Sequence, residues 1–505
     1  MSDNIVIIGA GLAGLTFGAM AARDGRKVTV IDKNSVPGGV CAAAELSTPV
    51  GTFRFEQGPL ILSDLLPGEP LHRFLAGFGI TLPVQRADRG IGTPDYSLWS
   101  PEVYAGKYWR RERLKELFPE DKEGIDEYYR FYDTMMHIRY LSTLPQNALT
   151  KLRMGLSFLK VKKYEPLSAD EFTRKLFKSE KLRLVFIGIL ADFCADPAEV
   201  SCFTVPFTNI ETAFDKRIPL EKGGRAYYPG YANIVGGVQK LPEALADYII
   251  AHGGTILYDR VAEKVLIEDG AVKGVRLTDG TEIYGDTVTA AGSAKDFFRK
   301  AVGAEHLTAE YQAIVDNYRP MEAVFMLHLA VDFDPLAFQQ APLCYYYGSY
   351  DLHAATERLR TGVYHEGSDG YLIYVPDAHA PEFAPEGYHA LTIYTVAPDR
   401  LKSGSWADMK EAYADKLIAL AERQLPGLSD HIIARKIMTA EDFREFTHME
   451  KSSFGGNVPV RDLPQPPHKT PVRGLWFLGA QSENGGGVTA VIMGAKEAYG
   501  EMNNE

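Results

Sequence analysis

A short β-branched run, Asn4-Ile5-Val6-Ile7-Ile8, leads directly into Gly9-Ala10-Gly11-Leu12-Ala13-Gly14. This G-x-G-x-x-G pattern constrains the fold more than any other feature, because each glycine has its own task at a strand-to-helix turn. Gly9 permits the tight turn, Gly11 lets backbone approach a pyrophosphate, and Gly14 lets helix and strand pack closely. The pattern predicts a buried strand over 4–8, a helix from Leu12 to Arg23 and a second strand from Lys27 to Asp32. Such a helix offers free N–H groups and a positive dipole end to phosphate. Asp32 ends the second strand, close to where an acid for a ribose hydroxyl belongs.

The motif alone does not choose between NAD and FAD; later glycine turns do. Gly38-Gly39 and Phe55-Glu56-Gln57-Gly58-Pro59 follow Asp32, and near the C-terminus Gly474 to Ala480 runs into Gly485-Gly486-Gly487-Val488. A long, bent FAD needs a distant turn to complete its site, because its isoalloxazine lies far from its adenine. FAD is therefore the expected cofactor. No second G-x-G-x-x-G occurs, so no separate NAD(P)H domain is expected, and the other electron partner is left open among oxygen, a quinone and an external reductase.

Residues 96–220 read as mainly helical. A second α/β block follows, with a helix over Val238–His252 and strands over Thr255–Tyr258, Glu263–Glu268, Val272–Thr278 and Thr281–Ala290. Asp269-Gly270 and Asp279-Gly280 mark hairpin turns between these strands. Strand patterns recur at Val324–Phe333, Tyr371–Val375 and Ala390–Val396, and a helix covers Trp406–Gln424. The chain ends in a strand over Leu475–Leu478 and a helix to Tyr499. The expected fold is α/β: a discontinuous Rossmann-like FAD-binding domain (1–95, 221–300 and 468–505) with an interleaved α+β substrate domain (96–220 and 301–467) on a mixed or antiparallel sheet.

Hydrophobic residues make up 46% of the 505 and charged residues 24%, an ordinary globular balance that argues against disorder. A net charge of −12 argues against nucleic acid as a partner. Cys41, Cys194, Cys202 and Cys344 have no metal-ligand spacing, so reduced buried thiols and no metal are expected. With no leader and no run of 18 apolar residues in view, the expectation is a cytoplasmic protein. One segment reverses the acidic balance. Across 148–164, Leu149, Leu152, Leu156 and Leu159 share a helical face, beside Lys151, Arg153, Lys160, Lys162 and Lys163. Basic amphipathic helices bind anionic lipid surfaces, so peripheral membrane contact is expected there. The alternative is an ordinary packed helix with a solvated basic face.

The glycine-rich segments resemble those of the phytoene desaturase, carotenoid isomerase and retinol saturase group of FAD proteins, relatives of the amine oxidases. Val6 to Pro59 is similar to that family's FAD fingerprint. Gly236-Gly237-Val238-Gln239-Lys240-Leu241-Pro242-Glu243-Ala244-Leu245 resembles its second glycine turn and helix start. Pro385 to Leu391 and Gly479 to Val491 resemble its strand entry and its closing turn. The resemblance implies a cofactor set of Gly9, Ala10, Gly11, Leu12, Ala13, Gly14, Asp32, Lys33, Gly38, Gly39, Val40, Gly58, Pro59 and Leu60. Val261 at the adenine and Gly479, Ala480, Gly486, Gly487 and Val488 at the flavin complete it. Four positions depart from the family: Val40 replaces Arg or Lys, Glu56 replaces Asp, and Glu483-Asn484 replaces His-Pro.

What the resemblance implies is flavin redox chemistry on a small apolar substrate, with polyenes and isoprenoids as candidates: desaturation, saturation or redox-assisted isomerisation. His448 and Tyr346 are the candidate catalytic side chains, each with a plain structural alternative, a helix-end histidine and ordinary sheet packing. Tyr345, Tyr346, Tyr347 and Tyr350 form an aromatic cluster suited to an apolar tunnel. His328, in mid-strand, reads as structural. Two other functions stay open: an amine oxidase-type flavoenzyme, and a non-enzymatic binder with the architecture of GDP-dissociation inhibitors.

Overall fold

A computed structural model describes residues 4–192, 195–220, 229–449, 455–457, 460 and 463–504. Cys194, Ser453-Phe454 and residues 221–228 lie outside the described residues.

The first strand, Asn4–Ile8, is central in a five-stranded parallel sheet whose spatial order is Thr255–Leu257, Lys27–Ile31, Asn4–Ile8, Thr287–Ala291, Leu475–Leu478. These strands come from three separate stretches of the chain. They are apolar on both sides, as strands covered on two faces must be. Ile5, Ile7, Val28 and Val30 face helices, whereas Val6, Ile31 and Val288 face an antiparallel meander formed by Ala262–Glu268, Ala271–Leu277 and Glu282–Tyr284. Asp269 and Gly270, both left-handed (φ 51° and 71°), make the tight turn of that meander.

The first helix, Leu12–Arg23, packs on Lys240–Ala251 and on the final helix, Val488–Met502. Glycine makes the first of these contacts close: a Cβ on Gly18 would lie 2.9 Å from Cδ1 of Ile249. Phe17 meets Tyr499 edge to face at 5.2 Å.

The single strand expected over Thr281–Ala290 is two. Glu282–Tyr284 ends the meander and Thr287–Ala291 joins the parallel sheet. Between them the chain passes tightly against the first strand. A Cβ on Gly285 would fall 2.8 Å from Val6 Cγ2, and Asp286 accepts the Asn4 N–H on Oδ2 at 3.0 Å.

The second sheet has seven strands, in the order Ile432–Met438, Ala323–Val331, His389–Ala397, Gly370–Tyr374, Leu343–Tyr347, Arg89–Gly92, Ser97–Leu98. It is antiparallel except where Leu343–Tyr347 runs parallel to Arg89–Gly92. The chain thus enters this sheet at residue 89, ahead of the expected change at 95. One face packs on Trp406–Ala421. The other packs on a helical block that includes Trp109–Leu117, Lys122–Ser142 and Ala148–Val161. Lys122–Ser142 buries Ile125, Tyr128, Tyr129, Tyr132 and Met136 along one stripe, the spacing of a core-facing helix.

Inside that block Arg110 pairs with Glu211 at 3.0 Å, both side chains fully buried. Tyr129 OH donates to the same carboxylate at 3.1 Å, and Arg110 lies 3.6 Å over the Phe214 ring. Burial pushes the Glu211 pKa up, against the opposing pull of Arg110. Arg110→Ala would strand that carboxylate and should cost about 3–5 kcal/mol of stability. Chemical denaturation would measure it, and a loss below about 1 kcal/mol would show that the pair is not coupled as described.

Candidate functional site

The site begins at the carboxyl edge of the parallel sheet. Gly9 turns with φ 104°, and its N–H donates to Ile31 O at 2.8 Å. A Cβ on Gly14 would lie 2.1 Å from Gly9 O, so the helix can start this close to the strand only with glycine there. Gly11, the residue capping the first helix, offers no side-chain cap, and a Cβ on it would meet nothing within 4 Å. Its backbone therefore faces open space in front of a helix N-terminus, the setting an anionic phosphate requires. Asp32 Oδ2 accepts the Ala10 N–H at 2.6 Å and Oδ1 the Asn34 N–H at 2.8 Å. Asp32 is 8% exposed, and burial raises its pKa against those two bonds.

The second glycine turn closes onto the first. Gly38 N–H donates to Ala10 O at 2.8 Å, and Gly38 bridges Gly11. Gly39 follows in the left-handed region at φ 55°. Val40 is backed by Gly58, where a Cβ would strike Val40 O at 2.1 Å. Past Pro59, Leu60 O accepts from Asn233 Nδ2 at 2.9 Å and from Tyr374 OH at 3.1 Å. Glu56 fixes the turn at 236–237, accepting the Val238 N–H at 2.8 Å. This turn, with φ 87° and 91°, delays the following helix to Lys240 rather than the expected Val238. Val261 lies just past the edge strand, half-buried, and the neighbouring Arg260 N–H donates to Asp32 O at 2.9 Å.

The C-terminal turn reaches the same edge. A Cβ on Gly479 would lie 3.8 Å from the Ala13 Cβ, and Ala480 O accepts the Asn457 N–H at 2.8 Å. Gly487 (φ 102°) starts the final helix without a side-chain cap, ahead of Val488, and a Cβ on it would again meet open space. Gly486 lies against Gly456. Thr489 Oγ1 donates to Ser63 O at 3.0 Å, tying this helix to the segment after Pro59. The departures Glu483 and Asn484 have local work: Glu483 accepts the His468 N–H at 2.7 Å, and Asn484 Oδ1 bonds the His468 ring.

The two candidate catalytic side chains are far apart in setting. Tyr346 lies on the sheet face toward Trp406–Ala421, stacked on Tyr371 at 5.5 Å, with its hydroxyl on Gln339 at 3.2 Å. Strand alternation sends Tyr345 and Tyr347 to the opposite face. There, with Leu352, Leu372 and Tyr394, they line a cleft. Tyr350 bonds Asp95 at 2.6 Å. His448 ends helix Ala440–Thr447 in the left-handed conformation (φ 57°) and lies beside the glycine-lined edge, within electrostatic reach of Asp32, Lys33 and Asp296. Burial, then Lys33, lowers its pKa. Lys33 donates its ammonium to Glu445 O. His328 is fully buried against Phe55 and bonded to Thr392 Oγ1 at 2.9 Å; burial brings its pKa down to about 3, so it is a neutral structural imidazole. Among the described residues no His, Cys, Asp and Glu group is placed to hold a metal ion.

A family model described as NAD(P)-binding Rossmann-like domain matches residues 7–78. The chain is 25% identical to prolycopene isomerase 1, chloroplastic, of an Oncidium hybrid cultivar, over 96% of this chain and 81% of that protein. It is 24% identical to phytoene desaturase (neurosporene-forming) of Rhodobacter capsulatus, over 98% and 93%. Among solved structures, an oxidoreductase from Methanosarcina mazei superposes with a TM-score of 0.63 at 18% identity, over 98% and 99% of the two chains. Reduced UDP-galactopyranose mutase superposes at 0.62 with 13% identity, over 100% and 95%. The fold and its glycine-lined edge define a protein built on a Rossmann-like dinucleotide-binding domain. Within that class the chain is similar along nearly its whole length to carotenoid isomerases and desaturases, at 24–25% identity.

Glu56 supplies a test of this architecture. Burial pushes its carboxyl up to about 8, from an ordinary value near 4.5. A pKa raised on folding adds stability below the unfolded value and loses it as pH climbs through the folded one. Wild type should therefore lose stability from pH 5 to pH 9, and Glu56→Gln, always neutral, should lose less. Parallel denaturation curves for the two across that range would contradict the assignment.

Proposed function

We propose that this chain is an FAD-dependent oxidoreductase acting on an extended apolar polyene, by desaturation, saturation or redox-assisted isomerisation of its double bonds. The observation that carries the proposal is one sheet edge at which two uncapped helix N-termini and bare glycine backbone from residues 9–14, 38–39 and 479–487 converge. Full-length likeness to a prolycopene isomerase and a phytoene desaturase supports the substrate class.

Residues 9–14 and Asp32 would hold the pyrophosphate and ribose of FAD, and residues 479–488 its flavin end. When bound, the flavin supplies hydride transfer at its N5 atom; the protein positions it and excludes competing reactions. The final helix would bring its positive dipole end toward the ring and favour a reduced, anionic flavin. The amine oxidase alternative has fold-level support alone, from putrescine oxidase (TM-score 0.60 at 12% identity). Anaerobic mixing separates the two. Reduction or reoxidation of bound flavin by a C40 polyene and not by putrescine is expected; the reverse pattern would overturn the polyene reading.

An anionic membrane surface is the proposed route for such a substrate. In support, helix Ala148–Val161 buries Thr150, Ser157 and Val161 and exposes Leu149, Leu152, Leu156 and Leu159 at 56, 59, 55 and 63%. Lys151, Arg153, Lys160 and Lys162 are exposed around them, with Lys163, which is paired to Glu127. An apolar row with a basic border suits lipid headgroups better than water. Among the described residues no helix is long and apolar enough to cross a membrane. Flotation with phosphatidylserine liposomes should carry the protein upward in low salt, and Leu152→Glu with Leu156→Glu should abolish it. Equal flotation of both proteins, or none for wild type, would contradict the contact.

A further inference from the structure

The segment that ends in His448 crosses the dinucleotide edge, although it belongs to the other sheet. It leaves strand Ile432–Met438 and enters helix Ala440–Thr447, whose start is fixed by a reciprocal cap between Thr439 and Asp442. Arg444 holds the helix to its own sheet through Asp399 Oδ1 at 2.8 Å. The far end reaches over. Glu445 O and Phe446 O accept from Lys33 Nζ and Asn34 Nδ2, just past the strand Lys27–Ile31. Three residues beyond Phe446, Met449 Sδ accepts from Gln481 Nε2 at 3.4 Å, just past the strand Leu475–Leu478.

The sheet order decides what lies between. The strands Asn4–Ile8 and Thr287–Ala291 separate those two attachment points. Residues 445–449 therefore pass across the end of the first strand, over the glycine turn. His448 sits in mid-span, with Asp32 and Lys33 past one flanking strand and Asp296 past the other. Its left-handed backbone, φ 57°, is the ordinary ending of a helix and a conformation histidine adopts readily, and it leaves the residue exposed.

We propose that His448 is a dinucleotide-binding residue that donates a hydrogen bond to the pyrophosphate of FAD from above the glycine turn. It would thereby supply, from the substrate side, the donor that Val40 cannot. The inference rests on the FAD reading given above. A neutral imidazole retains one N–H donor, and a phosphate anion nearby favours the protonated ring, which has two.

The test is binding to the full-length protein stripped of ligand and reconstituted, with FAD, ADP and adenosine as probes. FAD is followed by quenching of flavin fluorescence, ADP and adenosine by calorimetry. His448→Asn keeps a residue at ease in the left-handed region and removes the imidazole. It should weaken FAD and ADP by about tenfold, the scale of one charge-assisted hydrogen bond, and leave adenosine unchanged. His448→Arg should retain most of the affinity, and Val40→Arg added to His448→Asn should restore it. If His448→Asn binds FAD and ADP as wild type does, or loses adenosine in equal measure, the pyrophosphate contact is wrong. If wild type binds neither FAD nor ADP, the FAD reading itself falls, and the inference with it.

Discussion

The bond from Ala10 N–H to the Asp32 carboxylate, 2.6 Å long and buried, ties the first turn of the chain to the end of its second strand. Most of the site is arranged around that tie. With the turn held, Gly14 can bring the first helix within reach of Gly9 O, and the N-terminus of the helix faces outward with no side chain across it. Gly38 then closes on Ala10 O, and Gly479 comes up beside Ala13. The contacts at Gly14 and Gly38 are backbone against backbone, and Gly479 lies against the alanine Cβ atoms of Ala13 and Ala291, so glycine recurs at positions distant in the chain. A side chain at Gly14 or Gly58 would meet a carbonyl oxygen at 2.1 Å.

This explains which parts of the molecule could be read from the sequence. The opening strand, helix and strand were legible because the whole unit lies within some thirty consecutive residues, and its glycine spacing reports a local geometry. The Asp-Gly turn of the meander was legible for the same reason. The break at Gly285-Asp286 was not, because it comes from a close pass against Val6 and Asn4, far away in the chain. The four tyrosines at 345–347 and 350 read as one cluster in a string of letters; strand alternation divides the first three between two faces. Lys33 and Glu445, 412 residues apart, carry no signal of their contact in either local sequence. The strap from Lys33 and Asn34 to Gln481 therefore leaves no local sign in the sequence. Gln481, which bonds Met449 and accepts from both Ala294 N–H and Tyr318 OH, had only its place after the C-terminal strand to recommend it.

The two halves of the molecule use charge differently. The glycine turns of the parallel sheet are held by two buried acids that accept backbone N–H bonds, Asp32 and Glu56. The helical block buries a full ion pair, Arg110 with Glu211, among tyrosines and phenylalanines. On its outer side it turns leucines to solvent and polar residues inward along helix Ala148–Val161.

The central claim is that the glycine edge holds FAD, and the visible spectrum of the purified protein tests it most directly. The account predicts the visible absorption bands of oxidised flavin. It predicts their loss in Gly11→Val, whose branched side chain would fill the open space in front of the first helix. A colourless wild-type protein that does not take up added FAD, or a Gly11→Val protein with full flavin absorbance, would contradict it.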